Sequence, residues 1–391
     1  MPIPRLQSYP GPAILSYGFR PFFLLGSIYA GAIIPIWLGV FEGELQLSTA
    51  FAPLNWHVHE MLFGFVAAIV GGFLLTAVPN WTGRLPLQGT PLAVLGSTWL
   101  AGRIAVCISA RIGWEAACII DATFLTLLAA AAAREIIAGR KWNNLPFVAI
   151  VSLFCASNVA FHIEAHVNGL AEYSTRLAVA LVVALVALIG GRIVPSFTRN
   201  WLARQRPGRL PAPFGRFDAV VIAVGAIALL AWILAPTAEA TGIALIAAGL
   251  LHVVRLARWA GYRTIPDRLV LILHLAYAFI PIGYLLMGFA AFDLVPASAG
   301  IHAWTGGAIG SMTIAVMTRA TLGHTGHALK ASIGTQCLYA AVIAAALMRI
   351  CASVAPEHMQ VLLAAAGIGW TFAFLGFAVL YGRILCSPRA A

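Results

Sequence analysis

Charge is what this sequence has least of. Asp, Glu, Lys and Arg make up only 9% of its 391 residues, and 13 of those residues are acidic, whereas soluble domains carry roughly a quarter charged residues. A water-facing surface cannot be assembled from so little. Cysteine lacks a pattern: Cys107, Cys118, Cys155, Cys337, Cys351 and Cys386 contain no CxxC pair, which removes the usual spacing for zinc or an iron–sulfur cluster. Each is expected to be a small buried hydrophobe. No glycine-rich phosphate loop, of either the GxxxxGK or the GxGxxG kind, is present. That argues against an ATP-driven pump within this chain. No small-residue cleavage site follows the first apolar run, so that run is expected to be retained rather than removed as a signal peptide.

What is present is apolar length. The chain is 61% hydrophobic with a mean hydropathy of +0.92, and its apolar runs have about the 20 residues a helix needs to cross a hydrocarbon core. Twelve runs are expected to span, near 21–41, 56–80, 91–109, 114–138, 146–167, 174–196, 217–235, 239–258, 267–290, 297–319, 333–354 and 359–384. The fold class is therefore an all-α polytopic membrane protein with twelve transmembrane helices, treated as a single domain over 1–391.

Arginine sets the orientation. With twelve spans, the even-numbered loops and the termini hold most of the basic residues, among them Arg5, Arg20, Arg84, Arg140, Arg206, Arg216, Arg263 and Arg389, while only Arg103, Arg111, Arg176 and Arg349 fall on or near the other side. By the positive-inside rule both termini are expected in the cytoplasm. The net charge of +11 then reads as topology and contact with anionic lipid, not as nucleic-acid binding.

Three landmarks recur. "AVPNWTGR" (77–84), "IVPSFTRNW" (193–201) and "AVMTRATLGH" (315–324) place Val78, Val194 and Val316 at separations of 116 and 122 residues, and Pro21, Pro146 and Pro266 precede other runs at separations of 125 and 120. Glycine pairs lie upstream of each valine, at Gly71–Gly72, Gly190–Gly191 and Gly306–Gly307. Ends rich in Pro, Thr and Arg are common in membrane helices, but two landmarks with nearly equal periods point to three parallel four-helix repeats, 20–140, 145–260 and 265–384. That plan resembles the haem-copper oxidases, an analogy of architecture that carries no function by itself.

The histidines sort by depth. An ionisable side chain inside a span costs about 2.5 kcal/mol or more on insertion scales, so each needs a partner or a ligand. His57, His59, His162, His166, His302 and His358 lie toward the outer face, and His252, His274, His324 and His327 toward the cytoplasm. His57 and His59 are two apart, so on a regular helix they point nearly opposite ways and serve different sites, unless the helix starts after them. His162 and His166 share a helix face. An interfacial imidazole bonded to backbone or water is the plain alternative for any one of them. A set drawn from three spans at one depth favours a metal centre, with at least one of His57 and His59 joined by His162 or His302. Neutral imidazole suits iron and copper, and Glu60 is placed to orient an imidazole or relay protons. On the inner side His252 and His274 lie at matched depth on adjacent spans, either as two ligands of one haem or as a hydrogen-bonded pair. Arg192, Arg199, Arg255 and Arg319 are candidates to clamp haem propionates, with headgroup snorkelling as the alternative.

The motifs "FRPFFLL", "HVHEMLFGF", "GGRIVPSFTRN", "HVVRLARW", "LHLAY" and "HAWTGGAIGSMTIAVMTRATLGHTGH", in this order over almost the whole chain, together resemble the NnrS family. The resemblance implies a polytopic bacterial inner-membrane protein that contains haem and copper and is linked to denitrification and nitric oxide tolerance. It picks out His57, His59, Glu60, His162, His252, His274, His302 and His324; His166, His327 and His358 carry less weight. The function it implies is binding and detoxification of nitric oxide, by reduction at an outer-side centre, using b-type haem, copper and an electron donor such as quinol. The alternatives are a nitric oxide sensor or metal-protecting protein without turnover, and a proton-coupled transporter using the histidines and Glu60 as relays.

Overall fold

The structure is a computed structural model that describes residues 9–205 and 207–390; Arg5 and Arg206 lie outside the described residues. Among these the chain is helical and without strands. In chain order the long helices are α1 (Phe19–Phe41), α2 (Pro53–Thr82), α3 (Thr90–Cys107), α4 (Trp114–Ala138), α5 (Leu145–Asn168), α6 (Tyr173–Leu202), α7 (Arg216–Leu234), α8 (Glu239–Ala257), α9 (Arg268–Ala290), α10 (297–324), α11 (Ile333–Val354) and α12 (Met359–Cys386).

Among the described residues eleven helices are long and apolar enough to cross a membrane. The exception is α10, where a run is expected at 297–319: it is built of three consecutive pieces, Ala297–His302, a π-helical Ala303–Gly310 and Ser311–His324, and is not among the eleven. A helix is the only open-ended way to satisfy every backbone polar group in lipid, which is why apolar runs of this length fold so. Their outer faces stay apolar: Ile119, Ile227, Val361, Ile368 and Val379 are each more than 60% exposed. Four of the six cysteines, Cys107, Cys337, Cys351 and Cys386, are exposed too, and only Cys118 is buried. The expectation of buried cysteines fails for those four because they lie on the outward faces of their helices.

The chain divides into two compact units. One holds the described residues of Met1–Ala178, Ala320–His327 and Phe377–Ala391; the other holds Val179–Arg319 and Ala328–Gly376. The division cuts α6, α10 and α12. In the first unit α1 packs on α2, α3 on α4, and α4 on both α2 and α5. Buried Arg20 ties the end of α12 to this unit, donating to the carbonyls of Leu385 at 2.7 Å and Ser387 at 2.6 Å. In the second unit α8 packs on α7 and α9, and α10 on α9 and α11. Each unit has one central helix: 78% of the apolar window of α2 is buried, and 67% of that of α9, against 56% or less elsewhere. Polar side chains on those two helices, or facing them, are therefore the ones kept from lipid.

Candidate metal centre

In α2, residues Glu60–Val66 wind as a π-helix, a form that appears chiefly as single wide turns at functional sites. Gly64 sits inside it because a side chain would not fit: a Cβ there would lie 2.8 Å from the Tyr29 ring, 3.0 Å from Arg103 Nη1 and 3.2 Å from Glu60 Oε2. The Gly64 carbonyl takes the Trp99 indole N–H at 2.9 Å. His59 is completely buried at the entry to this turn.

Around it the first unit gathers charge. His59 Nδ1 lies 2.8 Å from Glu60 Oε1, and its Nε2 lies 3.0 Å from Asn158 Oδ1 on α5 and 3.2 Å from Asp121 Oδ2 on α4. His162 Nε2 is 3.4 Å from the same Asp121 oxygen. Arg103 on α3 donates to Glu60 Oε1 at 2.6 Å and, through its other amine, to Asp121 Oδ1. Asn158 donates to Asp121 Oδ2 at 2.8 Å, and the Tyr29 hydroxyl of α1 donates to Glu60 Oε2. Glu60, Asp121, Asn158 and His162 are all buried. Phe51, Phe63 and Phe161 close over the two imidazoles, with ring centroids 5.0 to 5.5 Å apart from theirs or one another's.

Two carboxylates and one guanidinium leave this cluster with a net charge of −1 when both imidazoles are neutral. A buried uncompensated charge is severely destabilising. The arrangement therefore calls for one more positive charge, supplied by a proton on an imidazole or by a metal ion. His59, Asp121 and His162 offer ligand atoms that all lie within 4.8 Å of one another. Two imidazoles and a carboxylate are a donor set for iron, copper or zinc; a cuprous ion would bring the cluster to neutral, and a divalent one to +1. Glu60, on the Nδ1 side, stands as the outer partner that orients the His59 ring, and Arg103 and Asn158 as the ones that orient Asp121.

Of the other candidate residues, His57 turns away from this cluster and stacks on Trp37 at 4.4 Å, as the spacing of two residues requires. His166 stacks on Trp114 at 4.6 Å, and His324 packs on Tyr17 and Phe19. His327 Nδ1 lies 2.8 Å from Thr325 Oγ1. In the second unit His302 Nδ1 donates to the Ser298 carbonyl at 2.7 Å, and exposed His358 lies against Glu357. His252 and His274 each have a separate hydroxyl partner: Tyr277 at 3.0 Å from His252 Nδ1, and Thr198 at 2.8 Å from His274 Nε2. Arg255 is bound to Asp218, the Ala187 carbonyl and Tyr277. Arg199 donates to the Pro211 carbonyl, Arg319 lies 4.0 Å over the Phe197 ring, and Arg192 is exposed.

Asp121, Arg103, Asn158 and Tyr29 do not stand out in the sequence as site residues. Arg103 reads there as a charge near the outer side, whereas it is 6% exposed and sits inside the cluster. Its signal is its place within an apolar run: Arg103 in 91–109 and Asp121 in 114–138 are opposite charges inside consecutive spans.

These features define a polytopic membrane protein with a buried His–Asp–His centre. The chain belongs to the NnrS family, a family associated with nitric oxide: residues 13–389 match it, under the description NnrS protein. A comparison with curated proteins finds no match.

Proposed function

We propose that this chain is a metal-containing inner-membrane protein that binds and detoxifies nitric oxide by reduction, with its metal held by His59, Asp121 and His162. The observation that supports this most is the charge balance of the buried cluster: it is one positive charge short, and it presents three converging ligand atoms. The metal, when bound, would supply a coordination site for nitric oxide and a redox couple. Glu60 fixes the ring of His59 from its Nδ1 side, Arg103 and Asn158 aim the Asp121 carboxylate, and the three phenylalanines exclude water. Reduction of two nitric oxide molecules to nitrous oxide and water consumes two protons and two electrons. Tyr29, whose hydroxyl reaches Glu60 Oε2, provides the proton-bearing group next to the cluster.

The donor set suits copper or iron. Haem fits less well, since the Nε2 side of His252 is packed against α7, where a Cβ on Gly225 would lie 3.1 Å from that nitrogen. His274 alone of that pair keeps a buried ring nitrogen, Nδ1, without a hydrogen-bond partner. A b-type haem rests on the family resemblance alone.

The test is metal analysis, a visible spectrum and anaerobic nitric oxide consumption with a reductant, all on the purified full-length protein. Stoichiometric copper or iron with consumption supports the proposal. Metal with binding but no consumption would turn the assignment to a sensor or metal-protecting protein. Absence of metal would leave the transporter, which the self-contained Tyr29–Glu60–His59–Asp121 chain of hydrogen-bonding groups favours as a second reading.

The proposed topology has twelve crossings, with α10 as the twelfth, and cytoplasmic termini; a reporter fused after Arg389 should read cytoplasmic, and a periplasmic signal would reverse the outer placement of the centre. It also has the three parallel repeats. The π-helical turns that come after His59 in α2 and His302 in α10 support equivalence of those two helices.

A further inference from the structure

The second unit holds a buried cluster that the proposed metal chemistry does not use. Asp218 on α7 binds Arg255 Nε on α8 at 3.0 Å, and Arg255 Nη1 donates to the Tyr277 hydroxyl on α9 at 2.8 Å. The phenol oxygen thus receives one hydrogen, and its own hydrogen has His252 Nδ1, 3.0 Å away, as its acceptor. Apolar packing alone would be served by phenylalanine, without placing a hydroxyl, a guanidinium and a carboxylate inside spans.

Tyr277 and His252 lie in the middle of a continuous file of rings. Trp259 and Tyr277 have centroids 4.6 Å apart, Tyr277 and His252 6.0 Å, His252 and Tyr284 5.3 Å, Tyr284 and Trp304 5.1 Å, and Trp304 and Trp232 5.3 Å. Every ring in the file is at most 2% exposed. Trp232 stands near the end of α7, where a short loop leads into α8, and Trp259 comes just after the far end of α8. The 19 residues of α8 span roughly 28 Å at 1.5 Å per residue, close to the thickness of the hydrocarbon core. Polar hydrogens beyond the central pair are tied as well: Tyr284 donates to the Gly225 carbonyl at 3.1 Å and Trp304 to the Ile280 carbonyl at 3.1 Å.

We infer that this file is a one-electron relay across the membrane, with Tyr277 and His252 as its proton-coupled station. A one-electron oxidant of the nitrogen dioxide class at the Trp232 end takes one electron and becomes nitrite. The electron leaves the file, and the resulting hole settles on Tyr277 as its O–H bond breaks and the proton passes to His252 Nδ1, giving a neutral tyrosyl radical and an imidazolium. A ferrous or cuprous donor at the Trp259 end returns one electron and becomes ferric or cupric. The proton then goes back from His252 to the phenolate oxygen, and the file is restored with no net change.

The relay stands apart from the metal centre and is tested without it. A ruthenium photo-oxidant is attached at Ala238→Cys, in the loop beside the Trp232 end, in full-length protein whose native cysteines are replaced by serine, and the flashed sample is frozen for electron paramagnetic resonance. A tyrosyl signal is expected that falls at least several-fold in Tyr277→Phe and in Trp304→Phe, both of which keep a ring in place. In His252→Asn the signal should persist for a shorter time and lose its sensitivity to deuterated solvent. A thermal melt matching the parent shows that each variant is folded. No protein radical in the parent, or a signal unchanged in Tyr277→Phe, would overturn the relay.

Discussion

Each unit buries an arginine between helices, yet the two settle that charge differently. In the first, Arg103 faces two carboxylates, Glu60 and Asp121. In the second, Arg255 faces one, Asp218, gives Nη1 to two neutral acceptors and leaves Nη2 without a partner. One cluster is left short of a positive charge with two imidazoles beside it; the other is balanced, and its imidazole faces a phenol. The same residue types thus give a place for a cation in one unit and a neutral hydroxyl-bearing station in the other. Counting charge inside the low-dielectric interior, rather than counting histidines, separates the two.

The change expected to act most strongly on this contrast is Asp121→Asn. It removes a ligand and leaves the first cluster with one carboxylate per guanidinium, as in the second. Bound copper or iron per purified protein should fall by at least the roughly 10- to 100-fold that loss of even an outer partner brings, measured by elemental analysis after dialysis. Asp218→Asn should leave metal content unchanged, and a matching loss there would erase the distinction.

Removing the arginines comes next. Arg103→Met leaves two carboxylates facing each other and should destabilise the first unit by about 3–5 kcal/mol, read as a lowered melting temperature in detergent, with recovery when Glu60→Gln is added. Arg255→Met leaves only Asp218 unpaired, and Asp218→Asn should rescue it by itself. Failure of either rescue would mean that packing, not charge, is what the arginine provides.

A smaller effect is expected at Gly64→Ala. The new methyl would press on Tyr29, Arg103 and Glu60, and overpacking of this kind costs roughly 1–3 kcal/mol. Metal affinity should drop together with stability, whereas Gly306→Ala, where a Cβ meets nothing within 4 Å, should alter neither. Least of all, His358→Ala should stay within about 0.5 kcal/mol of the parent with its metal content intact, since that ring is exposed.

Most helix ends were legible to within three residues, those of α6 and α10 excepted, because an uninterrupted apolar run has one solution in lipid. His59, Glu60 and His162 were legible only within a larger outer group that also held His57, His166, His302 and His358, because depth alone does not say which side chains converge, and His302 instead bonds the Ser298 carbonyl. Their grouping with His57 was limited by the angle between residues two apart, which the structure resolves by giving His57 to Trp37. Asp121 and Arg103 escaped because each looks, alone, like a single tolerated charge in a span, and what makes them a site is their pairing across α3 and α4. The aromatic file was not legible at all: Trp232, Tyr284 and Trp304 are ordinary residues of apolar runs until three helices bring their rings together.

The wide turn at Glu60–Val66 makes α2 sensitive to a lesion that no side-chain inventory would flag. A π-turn holds one residue more than the α-turn it replaces, so deleting a single residue there would let the helix close up as regular α. The N-terminal part of α2 would rotate by about 100° and slide by about 1.5 Å relative to the C-terminal part. Every side chain of the cluster would still be present, but His59 would be dialled away from Asp121 and Asn158 while Gly71, Gly72 and the rest of α2 kept their seats. The spare residue works as a phase-setting insertion, and a length change of one in this turn separates chains that share all the ligands from chains that can assemble them.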